Sequence, residues 1–249
     1  MRFSLLASGS QGNCCVIQHK DTSIVIDCGT TKKYLLGAFE QIAYDYQSSD
    51  AILITHTHSD HIAQMKMFEQ IPTYATSTIP TSYFHAITPF EEFNIKDIHI
   101  TVLPMSHDCE GTVGFLLEGD DEKLVYITDT GYVKEEVRQR IQNADYYILE
   151  SNHDIEMLMQ TNRPIYLKQR IIGDSGHLCN EDCAGLVGDA MGEKTKEIVL
   201  AHISREGNTR EKALETLTEH LRKRKLLHEQ LRLFPAGQFE IYQGGKKDL

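Results

Sequence analysis

The sequence predicts an α+β fold, a four-layer αββα sandwich in which two β-sheets pack face to face and helices cover them. Two observations predict it. Strand-like segments with interspersed helices occur in both halves of the 249-residue chain. No internal repeat, low-complexity tract or Pro/Gly/Ser-rich linker interrupts the chain, which favours a single domain over residues 1–249. With 41% hydrophobic residues, such a domain can bury a sizeable core.

The predicted strands are short apolar segments, several of them bounded by turn residues. In chain order they are Phe3–Ala7, Cys15–Gln18, Ser23–Ile26, Ala51–Thr55, Ile98–Leu103, Val113–Glu118, Leu124–Ile127, Tyr146–Leu149, Glu197–Leu200, Leu231–Phe234 and Phe239–Tyr242. Helical periodicity predicts the remaining elements. These helices are Ile62–Glu69, Tyr132–Gln142, Ile165–Ile172, Asn180–Ala190 and Thr209–Leu227.

Composition restricts the class of protein. A formal net charge of −11 argues against a broad basic surface for nucleic acid. It does not exclude a local phosphate site, because two divalent cations would add four positive charges where a phosphate docks. The sequence shows neither a signal-peptide core nor a segment apolar enough to span a bilayer, so we expect a cytoplasmic protein without membrane contact. Its oligomeric state stays open.

The densest group of potential metal ligands is the run His56-Thr57-His58-Ser59-Asp60-His61 at the end of an apolar strand. Residues i and i+2 of an extended chain point the same way, so His56 and His58 can reach one metal ion. The turn into the next helix directs Asp60 and His61 toward a second ion. A binuclear site of this kind needs further ligands from elsewhere in the chain.

Three residues that follow later strands can complete such a site. His107 follows Ile98–Leu103. Asp129 follows Leu124–Ile127, and His202 follows Glu197–Leu200. Imidazole and carboxylate ligands suit zinc, manganese or iron, so the donor set predicts divalent metal ions without selecting among them.

The motif HxHxDH, followed by a His, an Asp and a His after successive strands, resembles the metallo-β-lactamase superfamily over most of the chain. The resemblance implies two metal ions and a structural role near the site for Asp27. It also implies phosphodiesterase or hydroxyacyl-hydrolase chemistry rather than lactam opening, because an Asp rather than a Cys occupies position 129. The implied ligands are His56, His58 and His107 for one ion, Asp60, His61 and His202 for the other, and Asp129 as a bridge.

A closer resemblance is to the bacterial YycJ group, also called VicX or WalJ. Several segments carry it, and they are Ala7–Asn13, Glu150–Asp154, Leu167–Arg170, Ser175–Asn180 and His202–Glu206. The group is associated with cell-wall regulatory operons, and the resemblance implies a 5′-to-3′ exonuclease that acts on DNA. A hydroxide shared by two metal ions would attack phosphorus.

Further residues receive predicted roles beside the metal ligands. Asp60 is expected to take part in catalysis, and His177 or His153 is expected to steady the leaving oxygen or protonate it. The predicted substrate-binding residues are Lys168, Arg170, His177, Asn180 and Arg205. Two other hypotheses stay open: a hydrolase of small thioesters or lactones, and a non-enzymatic partner of a cell-wall signalling system.

Overall fold

The computed structural model describes residues 1–246, so the last three residues of the predicted domain 1–249 lie outside the described part. The chain divides into two compact units. Unit 1 comprises Met1–Pro104, Cys109–Lys123 and the chain from Gly237, and unit 2 comprises Met105–Asp108 and Leu124–Ala236. Within residues 1–246, no helix combines the length and apolar character that crossing a bilayer requires.

The described residues form strands and helices in the following order. The strands are β1 (Arg2–Ala7), β2 (Cys14–His19), β3 (Thr22–Ile26), β4 (Ala51–Leu53), β5 (Thr73–Ala75), β6 (Phe84–Ala86), β7 (Glu92–Ile95), β8 (Ile98–Pro104), β9 (Val113–Gly119), β10 (Glu122–Ile127), β11 (Tyr146–Glu150), β12 (Glu197–Ala201), β13 (Arg232–Pro235) and β14 (Tyr242–Gly245). The α-helices are α1 (Lys32–Gln41), α2 (Ser59–Ile62), α3 (Glu135–Arg140), α4 (Ile155–Gln160), α5 (Ile165–Ile172), α6 (Asn180–Ala190) and α7 (Arg210–Lys223).

Unit 1 contains a seven-stranded sheet in the order β14-β1-β2-β3-β4-β5-β6. Its first strands pair antiparallel, whereas β3, β4, β5 and β6 pair parallel. Helix α1 contributes Leu35, Ala38 and Phe39 to a core cluster with sheet residues that include Val25 and Ile52. Strands β7, β8 and β9 of the same unit pair antiparallel. The carboxyl ends of β3 and β4, where candidate ligands begin, are therefore neighbours in one sheet.

Unit 2 is built on parallel strands. From Leu124 onward β10 pairs with β11, which pairs with β12, and β12 pairs with β13. All residues of β11 and β12 are buried, as expected for parallel strands covered on both faces. In the register, Ile127 lies beside Leu149, and Leu149 lies beside Leu200. The residues that follow these three positions therefore emerge at the same edge.

The structure confirms most predicted elements and corrects several. Two predicted helices coincide with α5 and α6. The predicted helix Ile62–Glu69 is wrong, since α2 ends at Ile62 and a 3₁₀ turn covers Met65–Phe68. The last strand is Tyr242–Gly245 rather than Phe239–Tyr242, because its glycines lack the side chains that mark a strand. The sequence analysis missed α1, α4, β5, β6 and β7, of which all but α1 are six residues or shorter.

Candidate metal centre

The motif that begins at His56 follows β4 in unit 1, and we call His56, His58, Asp60 and His61 the loop cluster. His56 Nε2 lies 3.0 Å from His58 Nδ1, and His61 Nε2 lies 3.6 Å from an Asp60 carboxylate oxygen. His56 and His61 are buried, whereas Asp60 is partly exposed. Short helix α2 begins just after His58 and turns the chain, so four potential ligands leave a six-residue segment close together.

Asp27 holds the loop cluster from the neighbouring strand β3. Its buried carboxylate accepts hydrogen bonds from Thr55 N and Thr55 Oγ1, each at 2.9 Å, and lies 2.8 Å from His61 Nδ1. Burial raises the pKa of the Asp27 carboxyl, and the His61 ring and Thr55 donors oppose that rise. A carboxylate on Nδ1 fixes the ring orientation and leaves Nε2 for a metal ion. These contacts support the orienting role predicted for Asp27.

The segment before β2 also supports the loop cluster, a role that the sequence analysis did not assign. Asn13 N donates to Asp60 O at 2.8 Å, and Asn13 Nδ2 lies 2.9 Å from His61 Nε2. Gly29 approaches the same backbone so closely that an added Cβ would lie 1.5 Å from Asp60 O. The loop cluster is thus packed directly onto the backbone of its own unit.

A second group lies in unit 2, and we call Asp129, Glu150, His177 and His202 the strand-end cluster. Each offers one ligand atom, and these atoms all lie within 4.8 Å of one another. Glu150 ends β11, Asp129 follows β10 by two residues, and His202 immediately follows β12. The shared strand register explains the convergence of these three residues, because the carboxyl ends of parallel strands meet at one edge.

Three site residues share a backbone feature. Asp27, Asp129 and His202 have φ angles of 60°, 57° and 52°, in the left-handed region that L residues seldom adopt. Each follows the end of a strand, where such a residue turns the chain sharply out of the sheet. Asp tolerates this conformation better than most residues do, and His is also enriched there. The backbone at all three positions is thus set by the strand end.

Glu150 is the site residue that the sequence analysis missed. Its fully buried carboxylate lies 2.7 Å from His177 Nδ1 and 2.8 Å from His202 Nδ1, and it accepts hydrogen bonds from Thr130 N and Leu178 N. Burial alone would raise the pKa of Glu150, but the two imidazoles lower it to about 2. A charged residue at the end of the apolar run Tyr146–Leu149 was the available signal, the same one that marked Asp129 and His202.

His177 and His153, the two predicted leaving-group residues, lie in different environments. Burial lowers the pKa of His177, but Glu150 and Asp129 outweigh it and raise the value to about 9. The His177 side chain is 21% exposed, so solvent reaches it. His153 is only 1% exposed, and burial lowers its pKa to about 4. This placement argues against the catalytic role predicted for His153, because a buried neutral ring does not reach a substrate.

His107 lies in unit 2, in the segment that leaves β8. Its Nδ1 lies 3.0 Å from the carbonyl oxygen of Gly176, and its Nε2 lies 3.2 Å from Asp108 Oδ1. Burial lowers the pKa of the His107 ring, which favours the neutral form that binds metal ions. The loop that carries His177 thus also orients His107.

The predicted substrate-binding residues divide into exposed and buried ones. Arg170 and Arg205 are exposed, and the Arg170 guanidinium pairs with Asp108. Lys168 is buried, and its ammonium donates to Met159 O and Thr161 O at 2.7 and 2.8 Å. Asn180 is also buried, between Ser151 and Asn208. The contacts of Lys168 and Asn180 stabilise the fold and argue against direct substrate binding.

The donor chemistry of both clusters fits divalent transition metals. Each cluster combines imidazole nitrogens with carboxylate oxygens, the ligands that zinc, manganese and iron accept. In each cluster a buried carboxylate orients at least one imidazole from its Nδ1 side, as Asp27 does for His61 and Glu150 does for His202. Histidine metal ligands are usually held by such a second hydrogen bond.

Comparison with known proteins now identifies the family. The family model described as Beta-lactamase superfamily domain matches residues 22–203. Exodeoxyribonuclease YycJ of Bacillus anthracis is 33% identical over 235 residues, 89% of each chain. Exodeoxyribonuclease WalJ of Streptococcus pneumoniae, strain D39, is 34% identical over 236 residues, 88% of each chain. The metallo-β-lactamase fold protein YhfI of Bacillus subtilis superposes with a TM-score of 0.69 at 17% identity, covering 97% of this chain and 98% of that one.

The chain belongs to the β-lactamase superfamily and, within it, to the YycJ and WalJ group. The predicted fold class, an α+β sandwich of the metallo-β-lactamase type, is confirmed. The prediction of a metal-dependent hydrolase is confirmed as well.

Proposed function

We propose that the protein is an exodeoxyribonuclease that degrades DNA from the 5′ end with the help of two divalent metal ions. The names of its relatives support the substrate class. Ligand chemistry at the strand ends of both units supports the metal requirement. The proposed metal ligands are the seven residues His56, His58, Asp60, His61, His107, Asp129 and His202.

The strand-end cluster is the observation that carries the proposal. Two carboxylates and two imidazoles offer polar atoms within 4.8 Å of one another, in a largely buried environment. Of these four residues, Asp129 and His202 are proposed metal ligands, and Glu150 and His177 lie beside them. Burying these groups together costs free energy unless they are paired or bind a cation, because burial disfavours an isolated charge. Bound divalent ions would lower the pKa of a water molecule and polarise a phosphate.

The chain's own residues then orient the reactants and supply a proton. Asp27 and Glu150 hold the rings of His61 and His202 from their Nδ1 atoms. The Nδ1 atom of His177 faces Glu150, so Nε2 is the atom that can protonate the leaving oxygen. Glu150 and Asp129 raise the pKa of the His177 ring, which favours the protonated form that can donate this proton.

The experiment uses single-stranded DNA with a fluorophore at one end, incubated with purified protein and Mn²⁺ or Zn²⁺. Attack from the 5′ end releases a 5′ label at once as a short product, whereas a 3′-labelled strand shortens progressively. Asp60→Ala should reduce the rate by at least about 100-fold. The matched control Asp121→Ala alters an exposed turn residue and should retain the rate. No cleavage of DNA by the wild-type protein with any metal would refute the proposal.

Parallel assays with thioesters and lactones separate the two alternative functions from the proposal. Hydrolysis of thioesters or lactones, sensitive to Asp60→Ala, in the absence of DNA cleavage would favour the small-molecule hydrolase. A metal-loaded protein that turns over neither class of substrate would favour the non-enzymatic partner. Arg170 is exposed and pairs with Asp108, and the guanidinium donors that do not face Asp108 would suit an anionic substrate.

We also propose that the two units form one domain. The family match from residue 22 to residue 203 takes in parts of both units, which supports this proposal. Cooperative loss of both units in a single calorimetric transition would test it. A cytoplasmic location stays a prediction from the sequence.

A further inference from the structure

Unit 2 exposes a dense group of large apolar side chains between residues 155 and 172. Five of them are between 41% and 69% exposed. They are Ile155, Met159, Ile165, Tyr166 and Ile172. Single exposed hydrophobic residues are common, whereas several exposed apolar side chains on one helix offer a surface for binding. Three of the five, Ile165, Tyr166 and Ile172, lie on α5, the helix that precedes the His177 loop.

The outward face of α5 combines an aromatic ring with a cation. Tyr166 is 69% exposed and Arg170 is exposed, whereas Lys168 and Ile171 are buried on the opposite side. Tyr166 and Arg170 are four residues apart, one helical turn, and therefore neighbours on the helix surface. The Cβ atoms of this tyrosine and this arginine thus lie about 6 Å apart.

This face is continuous with the candidate metal centre of unit 2. The Arg170 guanidinium pairs with Asp108, the residue after His107. His177 N donates to the carbonyl of Ile171 at the end of α5. An added Cβ on Gly176 would lie 2.2 Å from the carbonyl oxygen of Arg170, so the His177 loop is packed against the helix. Helix α5 therefore leads directly into the segment that carries His177 and orients His107.

We propose that the exposed face of α5 binds a single-stranded part of the nucleic-acid substrate, with Tyr166 stacking on a base and Arg170 contacting a phosphate. The inference rests on the proposed function and extends it to the form of the substrate. Aromatic faces beside cations are how proteins bind single strands, since every unpaired base offers a stacking surface. Bases inside a duplex are already stacked on both sides, so the face selects an unpaired end.

The hydrogen-bond donors of Arg170 favour an occupant that carries phosphate groups. Both Gln169 and Arg170 are exposed within the face, and the guanidinium uses Nε and Nη2 for Asp108. Arginine has five N–H donors, so its remaining donors can bind a phosphate oxygen.

Binding is measured by fluorescence anisotropy with the full-length protein and a phosphorothioate oligodeoxythymidylate that resists cleavage. Tyr166→Ala should weaken binding about tenfold, since one base stack contributes about 1–3 kcal/mol. Tyr166→Trp should retain the affinity because stacking is preserved. Tyr83→Ala, which removes another exposed tyrosine from unit 1, is the matched control and should change nothing.

An abasic oligonucleotide of the same length distinguishes stacking from a general loss of structure. The affinity of the wild-type protein for the abasic strand should be about as low as the affinity of Tyr166→Ala for the normal strand. The Tyr166→Ala substitution should not lower the affinity for the abasic strand any further. In cleavage assays the variant should raise KM for single-stranded DNA while kcat and the hydrolysis of methyl p-nitrophenyl phosphate stay unchanged.

Two outcomes would overturn the inference. One is that the wild-type protein cleaves DNA and Tyr166→Ala binds the oligonucleotide with the same affinity as the wild type. That result leaves the proposed function intact. The other is a dimer that Tyr166→Ala dissociates, which would assign the face to self-association. A wild-type protein that cleaves no DNA refutes the proposed function instead. Strand binding that depends on Tyr166 would then survive as a binding activity.

Discussion

The loop cluster and the strand-end cluster reach similar donor chemistry by different routes. The loop cluster is a contiguous run in which a strand end and a short helix place four ligands. The strand-end cluster takes residues separated by up to 73 positions, from Asp129 to His202, and relies on the register of three parallel strands. The first is encoded locally, whereas the second exists only when unit 2 has folded.

The carboxylate that supports each cluster shows the same contrast. Asp27 orients one imidazole, His61, and fixes the loop through Thr55. Glu150 orients two imidazoles and also accepts two backbone amides. Replacing Glu150 should therefore remove contacts to more residues of its cluster than replacing Asp27 does.

The largest expected effects come from removing a ligand of either cluster. We expect His58→Ala and Asp129→Ala each to lower hydrolysis by about 100- to 1,000-fold, because charge stabilisation at the reacting phosphate is lost. Metal content measured by plasma mass spectrometry should separate the two. His58→Ala should lose at most one ion, whereas Asp129→Ala should lose more than one if it is the bridge that the family resemblance implies.

The control for both variants is His228→Ala, an exposed histidine on the surface of unit 2. It should keep full metal content and full activity. Equal metal loss in His58→Ala and Asp129→Ala would contradict the bridging assignment and make the two clusters equivalent in metal binding.

Glycines at close backbone contacts give the next effect. An added Cβ on Gly29 would lie 1.5 Å from Asp60 O, and one on Gly131 would lie 2.3 Å from Gly173 O. We expect Gly29→Ala and Gly131→Ala to lower both activity and the melting temperature, since backbone must move. Gly29→Ala should be worse, because its contact is shorter and touches the loop cluster itself. Thermal denaturation and hydrolysis rates measure both effects.

Helical glycines with free space provide the matched controls. A Cβ at Gly37 in α1 or at Gly185 in α6 meets nothing within 4 Å. Alanine there should stabilise the protein by about 0.5–1 kcal/mol, because glycine in a helix costs about that much. If Gly29→Ala behaved like Gly37→Ala, the loop cluster would be far more adaptable than its packing indicates.

The difference between the clusters also explains what sequence could predict. Four ligands in six residues are visible without any fold, so His56 to His61 could be found from spacing alone. Asp129 and His202 were found because each follows an apolar strand and because the family resemblance fixed their order. Glu150 likewise follows the predicted strand Tyr146–Leu149, but the ligand set that the family resemblance implied does not include it. Its contacts with two imidazoles depend on tertiary structure and could not be predicted from the sequence.

The sequence also could not predict whether the proposed substrate-binding residues are exposed or buried. Lys168 lies within a motif of the family resemblance, and its sequence position is compatible with phosphate binding. In the structure it bonds backbone carbonyls at the end of α4, a helix that the sequence analysis did not find. Without that helix no partner for the ammonium could be anticipated.

A smaller effect concerns charge in the strand-end cluster. Glu150 raises the pKa of His177, so the metal-free protein should lose stability as pH rises from about 7 through about 9 and the ring deprotonates. Glu150→Gln removes the carboxylate and should flatten this part of the curve. Melting temperature against pH, measured with chelator present, tests both. Asp27→Asn should leave this alkaline slope unchanged, and a loss of slope there would show that the two clusters titrate together.

The smallest expected effect is at His153, which lies near the strand-end cluster in sequence but is almost fully buried. Neither ring nitrogen has a hydrogen-bond partner among residues 1–246, so an apolar replacement leaves no new unsatisfied group. His153→Leu should keep activity within about twofold and change stability by less than about 1.5 kcal/mol, as nearly volume-conserving replacements do. Steady-state kinetics and urea denaturation provide the measurement. A 100-fold loss of kcat at unchanged stability would restore His153 as a catalytic residue and extend the strand-end cluster by one imidazole.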